Sequence, residues 1–295
     1  LIHPSSQSPM EMHQTAAISL AAEHNKVNID VRQLGGGYGG KTEQAKFVIG
    51  PVAVAAKALN IPIRMALKRE HDTAMIGKRH GYYGQYQIAV DQGDIREEDK
   101  GIIRGLLVKL WGDGGAFYDC SFVVSNCIQL RLDNAYLIKN FESQLDVCRT
   151  NKAPNTAMRA FGDIQGKLIL ENAVDDAAFS VGMDPYDLRL KNMYQRGDVT
   201  PFGQALSYCY MRDVWKYIEE KSDYRARVKK VEEFNKNNKW KKRGIYAIPV
   251  KYGSGYNLVM LEQAAAIVSI YSGDGSISIN QGGVDMGQGM MTKVE

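Results

Sequence analysis

The chain is poor in cysteine. Its four thiols, Cys120, Cys127, Cys148 and Cys209, form no C-x-x-C pair. That spacing leaves a zinc ribbon, a thioredoxin-type motif and a local iron–sulfur site without support. So few cysteines in 295 residues suit a reducing compartment, so a cytoplasmic protein is expected. No run of 18 apolar residues occurs, so no membrane-spanning helix is expected. An excess of one charge is missing too: Lys+Arg 37 against Asp+Glu 33 gives +4. Residues 221–243 hold ten basic and three acidic side chains. They read as a solvated helix and its exit loop, not as a nucleic-acid surface. An initiator methionine and a signal peptide are also absent: the chain starts Leu-Ile-His-Pro-Ser-Ser. It stops at Glu295, in what reads as the start of a helix. Both ends are therefore expected to be cuts through a larger polypeptide.

Glycine is in surplus. Average usage would give about 21 in a chain of this length, and there are 29. Twelve of these fall in three stretches, residues 35–40, 112–115 and 282–289. There is no three-residue period, which excludes collagen. Apolar runs flank each cluster, which argues against a flexible linker. Glycine placed this way lets backbone approach something closely.

The hydrophobic periods predict a mixed α+β fold. Helices are expected over residues 11–24, 42–59 and 164–181, the second interrupted at Gly50-Pro51, and a helical pair over 211–238. Another is expected from Asp184-Pro185, with Asp184 as N-cap and Asp187 completing a capping-box pattern. Strands are expected over residues 27–34, 61–67, 141–149, 244–252, 263–271 and 276–280. Residues 82–90 and 101–111 read as a hairpin around Asp91-Gln-Gly-Asp94. Residues 112–115 read as a turn after its second strand. The turn-rich stretch Arg196-Gly-Asp-Val-Thr-Pro-Phe-Gly203 is the best domain boundary.

The first cluster, Gly35-Gly-Gly-Tyr-Gly-Gly-Lys-Thr42, is expected between a strand and a helix. It fits both G-x-G-x-x-G and the P-loop pattern G-x-x-x-x-G-K-[ST]. In a P-loop, N–H groups would cradle phosphates, Lys41 would reach the terminal phosphate and Thr42 would hold magnesium. The partner acid is poorly supplied: Asp113 is the best candidate, in a Gly-Asp-Gly-Gly turn. A dinucleotide site needs an acid about 20 residues on, and that region has none. From the loop alone, a P-loop, another anionic cofactor and a structural turn all remain open.

The rest of the chain narrows this. Gly-Gly-Gly-Tyr-Gly-Gly-Lys resembles a loop of the molybdenum hydroxylases, the xanthine dehydrogenase and aldehyde oxidase family. So does Asn155-Thr-Ala-Met-Arg-Ala-Phe-Gly162, followed by Gln165-Gly. Residues 174–194, residues 233–245 and Gly282-Gly-Val-Asp-Met-Gly-Gln-Gly289 continue the likeness in family order. The resemblance implies two molybdopterin-binding domains, residues 1–196 and the start of a second at 197–295. The cofactor would be a molybdenum-bearing pterin dithiolene. A [2Fe-2S] domain and an FAD domain are expected elsewhere in the parent, together with a homodimer.

The family pattern puts Gln7 near a molybdenum oxo group as an amide donor. Gly37, Tyr38 and Gly39 would lie against the metal end, and Arg159 beside it. Met286, Gly287 and Gln288 would contact the pterin. Taken alone, Gln7 reads as a loop residue, Arg159 as a surface arginine and Phe161 as core. In the matched context, Phe161 would stack on a planar substrate. Tyr256 and Asn257 would line the same pocket. Two positions depart from the xanthine-oxidising pattern: Thr42 stands where those members carry glutamate, and Cys127 where they carry arginine. Without those partners a polar purine loses discrimination, so aldehydes or N-heterocycles are expected ahead of xanthine. A P-loop nucleoside triphosphatase is the competing expectation, and a scaffold that has lost the chemistry is a third. The family's general-base glutamate is expected beyond Glu295, so this chain alone is expected to be inactive. It is also expected to expose apolar surface.

Overall fold

The computed structural model describes residues 1–253, 255 and 262–295. Helix α1 (Pro9–Leu20) packs on α2 (Lys46–Leu59). They bury a small cluster of Met12, Ala16, Ala17, Val27 and Ile49. Pro51 lies within α2, which runs on continuously and is not split. The helix starts at Lys46, four residues later than expected at Thr42, because residues 40–45 are committed to turns. A short α3 (Arg69–Met75), not expected from the sequence, follows.

The main core is a three-stranded sheet covered by helices. Strands β1 (Tyr82–Val90) and β2 (Ile103–Gly115) form the expected antiparallel hairpin. Strand β3 (Asn140–Arg149) returns parallel to β2 after a crossover containing α4 (Ser121–Gln129). That parallel return makes β2 central. Its alternating Leu106, Val108 and Leu110 are buried against α5 (Asp163–Ser180) and α6 (Pro185–Asn192). Leu170, Ala173, Val174 and Ala177 put an i, i+3, i+4, i+7 stripe of α5 into that core. At about 25 cal/mol per Å² of apolar area, such stripes supply most of the folding drive.

Asp184 caps α6 as expected, its carboxylate accepting from Tyr186 N at 2.8 Å. Asp187 does not complete the box; its carboxylate pairs with Arg225. Helices α7 (Met211–Lys221) and α8 (Tyr224–Asn237) follow, with Trp215 of α7 stacked on Tyr186 at 4.5 Å. Strands β4 (Ala266–Ile270) and β5 (Ile277–Gln281) make a separate exposed hairpin, and α9 (Met290–Val294) follows.

Three expected strands are not formed. Residues 27–34 make one bridge, Ile2 to Ile29, because the chain start is their sole ladder partner among the described residues. Residues 61–67 run without a ladder, with Ile61 and Met65 exposed. Residues 244–252 pair with a side chain instead of a strand. Asn134 Nδ2 donates to Pro249 O at 2.8 Å, and Lys251 N donates to Asn134 Oδ1 at 2.9 Å. One carboxamide thus does the work of a neighbouring peptide. Residues 112–115 are no turn either: they end β2, with a register shift between Asp113 and Gly115. Glycine is needed there because a Cβ at Gly112 would fall 2.6 Å from the Tyr82 ring.

Candidate functional site

The glycine cluster at 35–40 folds back onto the chain start. Gln7 N donates to Lys41 O at 2.8 Å, and Ser6 Oγ to the same oxygen at 3.0 Å. The Gln7 side chain then enters the loop. Its Oε1 accepts from Gly39 N at 3.0 Å and from Lys41 N at 3.3 Å. Two N–H donors fix which end of the amide is oxygen. Nε2, the donor end, makes no hydrogen bond among the described residues. A Cβ at Gly37 would lie 2.4 Å from the Gln7 carboxamide, so any larger residue there would displace that side chain from the loop.

A second wall comes from residues 155–162. Arg159 N donates to Tyr38 O at 2.8 Å. Gly39, at φ +91°, approaches so closely that a Cβ would sit 2.3 Å from Ala157 O. Tyr38 itself takes φ +53°, and its ring is exposed. Arg79, which the sequence reading missed, braces this wall from behind. Its guanidinium donates to Arg159 O at 2.7 Å and Met158 O at 3.2 Å. An arginine before a histidine gave no signal for that role. The Arg159 side chain is exposed and Phe161 is half-buried.

The third wall is α4. A Cβ at Gly162 would meet Val124 O at 2.5 Å and Cys127 Cβ at 3.0 Å, so the loop and the helix touch backbone to backbone. Cys127 is buried at that contact. Thr42 turns inward, its hydroxyl donating to Gly39 O at 2.8 Å. Below these lie His80 and Asp119, both buried. Burial holds the His80 imidazole below its usual pKa and pushes the Cys120 thiol up to about 11.

The other large glycine cluster, residues 282–289, reaches the first through Leu34 N, which donates to Asp285 O at 2.9 Å. Its shape is otherwise self-made. Asp285 Oδ1 accepts from Gly287 N at 2.9 Å, and Gln288 Oε1 from Met286 N at 2.7 Å. The Gly287 amide, with those of residues 289–291, holds the Asp285 carboxyl below its usual range. Gln7, Gly37, Tyr38, Gly39, Thr42, Cys127, Arg159 and Phe161 are thus brought together. Met286, Gly287 and Gln288 join through the Leu34–Asp285 link. Tyr256 and Asn257 lie outside the described residues.

The P-loop layout is not formed. No strand precedes the loop, no helix starts at Lys41, and the Gly39 and Lys41 amides that would cradle phosphate already donate to Gln7. No group of three His, Cys, Asp or Glu able to hold a metal occurs among the described residues. What the site offers is the Gln7 Nε2 donor, held in place by the two loop amides on Oε1, which suits an anionic organic group carrying its own metal ligands. No helix among the described residues is long and apolar enough to cross a membrane.

Comparison with known proteins agrees with this donor set. Two family profiles, both described as molybdopterin cofactor-binding domain, match residues 1–193 and 217–295. Xanthine dehydrogenase/oxidase of Gallus gallus is 38% identical over 290 residues, 98% of this chain and 21% of that protein. Aldehyde oxidase 2 of Macaca fascicularis is 36% identical over 293 residues, 99% of this chain and 21% of its own length. The chain therefore spans about a fifth of the curated relatives it matches. Among solved structures, aldehyde oxidoreductase from Desulfovibrio gigas superposes with TM-score 0.69 at 22% identity, covering 78% of this chain and 24% of that one. Quinoline 2-oxidoreductase from Pseudomonas putida 86 gives TM-score 0.69 at 20% identity, covering 80% and 30%. These two establish the fold. The profile matches, with the two curated relatives, place the chain in the molybdopterin cofactor-binding domains of the molybdenum hydroxylase family, the family of xanthine dehydrogenase and aldehyde oxidase.

Proposed function

We propose that the site formed by the two glycine loops receives molybdopterin, and that the complete protein oxidises aldehydes or N-heterocycles with water as oxygen source. The observation that carries this is the orientation of Gln7. Its oxygen is consumed by two loop amides, so its Nε2 is the end offered to a ligand oxygen. Gln7, Gly37, Tyr38, Gly39 and Arg159 would hold the metal end, and Met286, Gly287 and Gln288 the pterin. When bound, that cofactor supplies a two-electron acceptor and a transferable oxygen ligand at molybdenum.

The chain's own residues do the positioning. Gln7 donates from one fixed direction, because its other end is tied to Gly39 and Lys41. Phe161 offers a ring face to a planar substrate. Thr42 and Cys127 bring no charge to the pocket, and the Thr42 hydroxyl is already spent on Gly39 O. Such a pocket favours aldehydes and neutral heterocycles; purines are the second reading. Tyr256 and Asn257 complete the pocket in this proposal.

The domain boundary is proposed at residue 196/197, and the general base, a [2Fe-2S] domain and an FAD domain in the polypeptide outside this chain. A cytoplasmic homodimer acting on small molecules belongs to the same proposal. Metal analysis of the complete protein tests it. Stoichiometric molybdenum with aldehyde turnover is the expected result. No molybdenum, with magnesium-dependent ATP binding lost in Lys41→Ala, would overturn it.

A further inference from the structure

One buried carboxylate touches all three walls of the site. Asp119 lies just before α4 and is buried. Its Oδ2 accepts from the Nε2 of Gln44, two residues beyond Thr42 on the first wall. Its Oδ1 accepts from Thr156 Oγ1 at 2.6 Å, on the second wall five residues before Phe161. The same oxygen accepts from Cys120 N at 2.6 Å, at the entrance to the helix that carries Cys127. Gln44 and Thr156 are buried as deeply as Asp119. No lysine or arginine is among these partners, and these three bonds come from neutral donors on three different walls.

We propose that Asp119 is a positioning residue that sets the spacing of Thr42, Cys127 and Phe161, and so decides which substrates fit between them. The proposal rests on the molybdenum-site reading only for what the walls enclose. A carboxylate can accept from several donors at once, so one side chain can register three segments that no backbone ladder joins. Loss of a buried acceptor leaves each donor unpaired, and the walls then drift apart to rehydrate.

The amide of Gln44 supplies a discriminating variant. Its Oε1 is buried and has no partner among the described residues. In Asp119→Asn, the new Nδ2 would face that amide, and a flip of Gln44 would present Oε1 as acceptor. The asparagine oxygen would keep Thr156 and Cys120. Asp119→Asn should therefore retain the clamp, whereas Asp119→Ala removes it. Gln44→Met cuts the first wall alone and is the variant to use if Asp119→Ala fails to fold.

The test uses the complete protein. Amide exchange is measured over residues 37–42 and 156–162, with KM and kcat for a small aldehyde and a bulky heterocycle, and with molybdenum content. Asp119→Ala should speed exchange in both segments about tenfold and raise KM about tenfold, with molybdenum content kept. Gln44→Met should speed exchange in residues 37–42 only. Asp119→Asn should stay within about threefold of the parent on both readouts. Unchanged exchange in Asp119→Ala, or equal damage from the alanine and asparagine variants, would overturn the proposal. If the parent protein holds no molybdenum, the functional reading fails, and the exchange data still decide whether Asp119 is the clamp.

Discussion

The two glycine loops of the site are held in opposite ways. The loop at 35–40 is held from outside: Gln7 fills it, Arg159 N reaches its Tyr38 carbonyl, and Gly39 presses on Ala157. The loop at 282–289 holds itself, through Asp285 and Gln288 side chains bonded to its own backbone, with Leu34 as its link to the first. A Cβ added at Gly287 meets nothing within 4 Å, despite φ +104°. Glycine is therefore used for two different reasons. At Gly39 it permits close approach to backbone as well as a positive φ; at Gly287 it permits the left-handed turn alone.

Alanine substitution should expose that difference most strongly. Gly39→Ala combines positive φ with an impossible contact on backbone, and should cost about 3 kcal/mol or more and abolish cofactor retention. Gly287→Ala carries backbone strain alone, about 1 kcal/mol, and should keep the cofactor. Denaturant midpoints and molybdenum content read both; equal losses would erase the distinction. The next largest effect concerns Gln7. Gln7→Glu keeps an acceptor for Gly39 and Lys41 but loses the Nε2 donor, so the loop should persist while turnover falls about 100-fold. Gln7→Ala strands both amides and should lose the loop as well, seen as faster exchange at Gly39 and Lys41.

Substrate choice should respond more modestly. Thr42→Glu replaces a hydroxyl tied to Gly39 O by a carboxylate that cannot donate to it, so the side chain must turn elsewhere. Purine kcat/KM should rise about tenfold relative to aldehyde; an unchanged ratio would place substrate selection outside the first loop. The smallest effect is a pH response confined to the second loop. The Asp285 carboxyl is held low by the Gly287 amide, so its contribution is present above the unfolded pKa of about 4 and fades as pH falls below it. Exchange at Gly287 should accelerate below about pH 4 in the parent and lose that pH dependence in Asp285→Asn.

Surface burial divides the molecule in a similar way. The sheet of β1, β2 and β3 with α5 and α6 encloses a continuous core. The β4–β5 hairpin leaves Val268, Ile270, Ile277 and Ile279 together on one face, all exposed. That is the exposed apolar surface expected of a chain whose core is shared with segments outside it.

Elements with a strong period were legible: α5, the β1–β2 hairpin and β3 lie within a few residues of expectation. The failures share a cause. Residues 27–34, 61–67 and 244–252 alternate as strands do, yet a strand needs a neighbour, and alternation says nothing about who that neighbour is. For residues 244–252 the partner is the side chain of Asn134, more than a hundred residues away. The site divides likewise. Its glycines and Gln7 were legible because short motifs carry them in order. Arg79, Gln44 and Asp119 were not, because each acts through a contact with a distant segment and none has a pattern around it.

By itself the sequence determined the family and the core helices α5 and α6, since those depend on local spacing and residue type. Tertiary structure decided which end of Gln7 is tied to the loop, which glycines press on backbone and that one aspartate joins three walls. Those outcomes depend on donors and acceptors brought together from residues 7, 39, 44, 119 and 156, and only folding sets their distances.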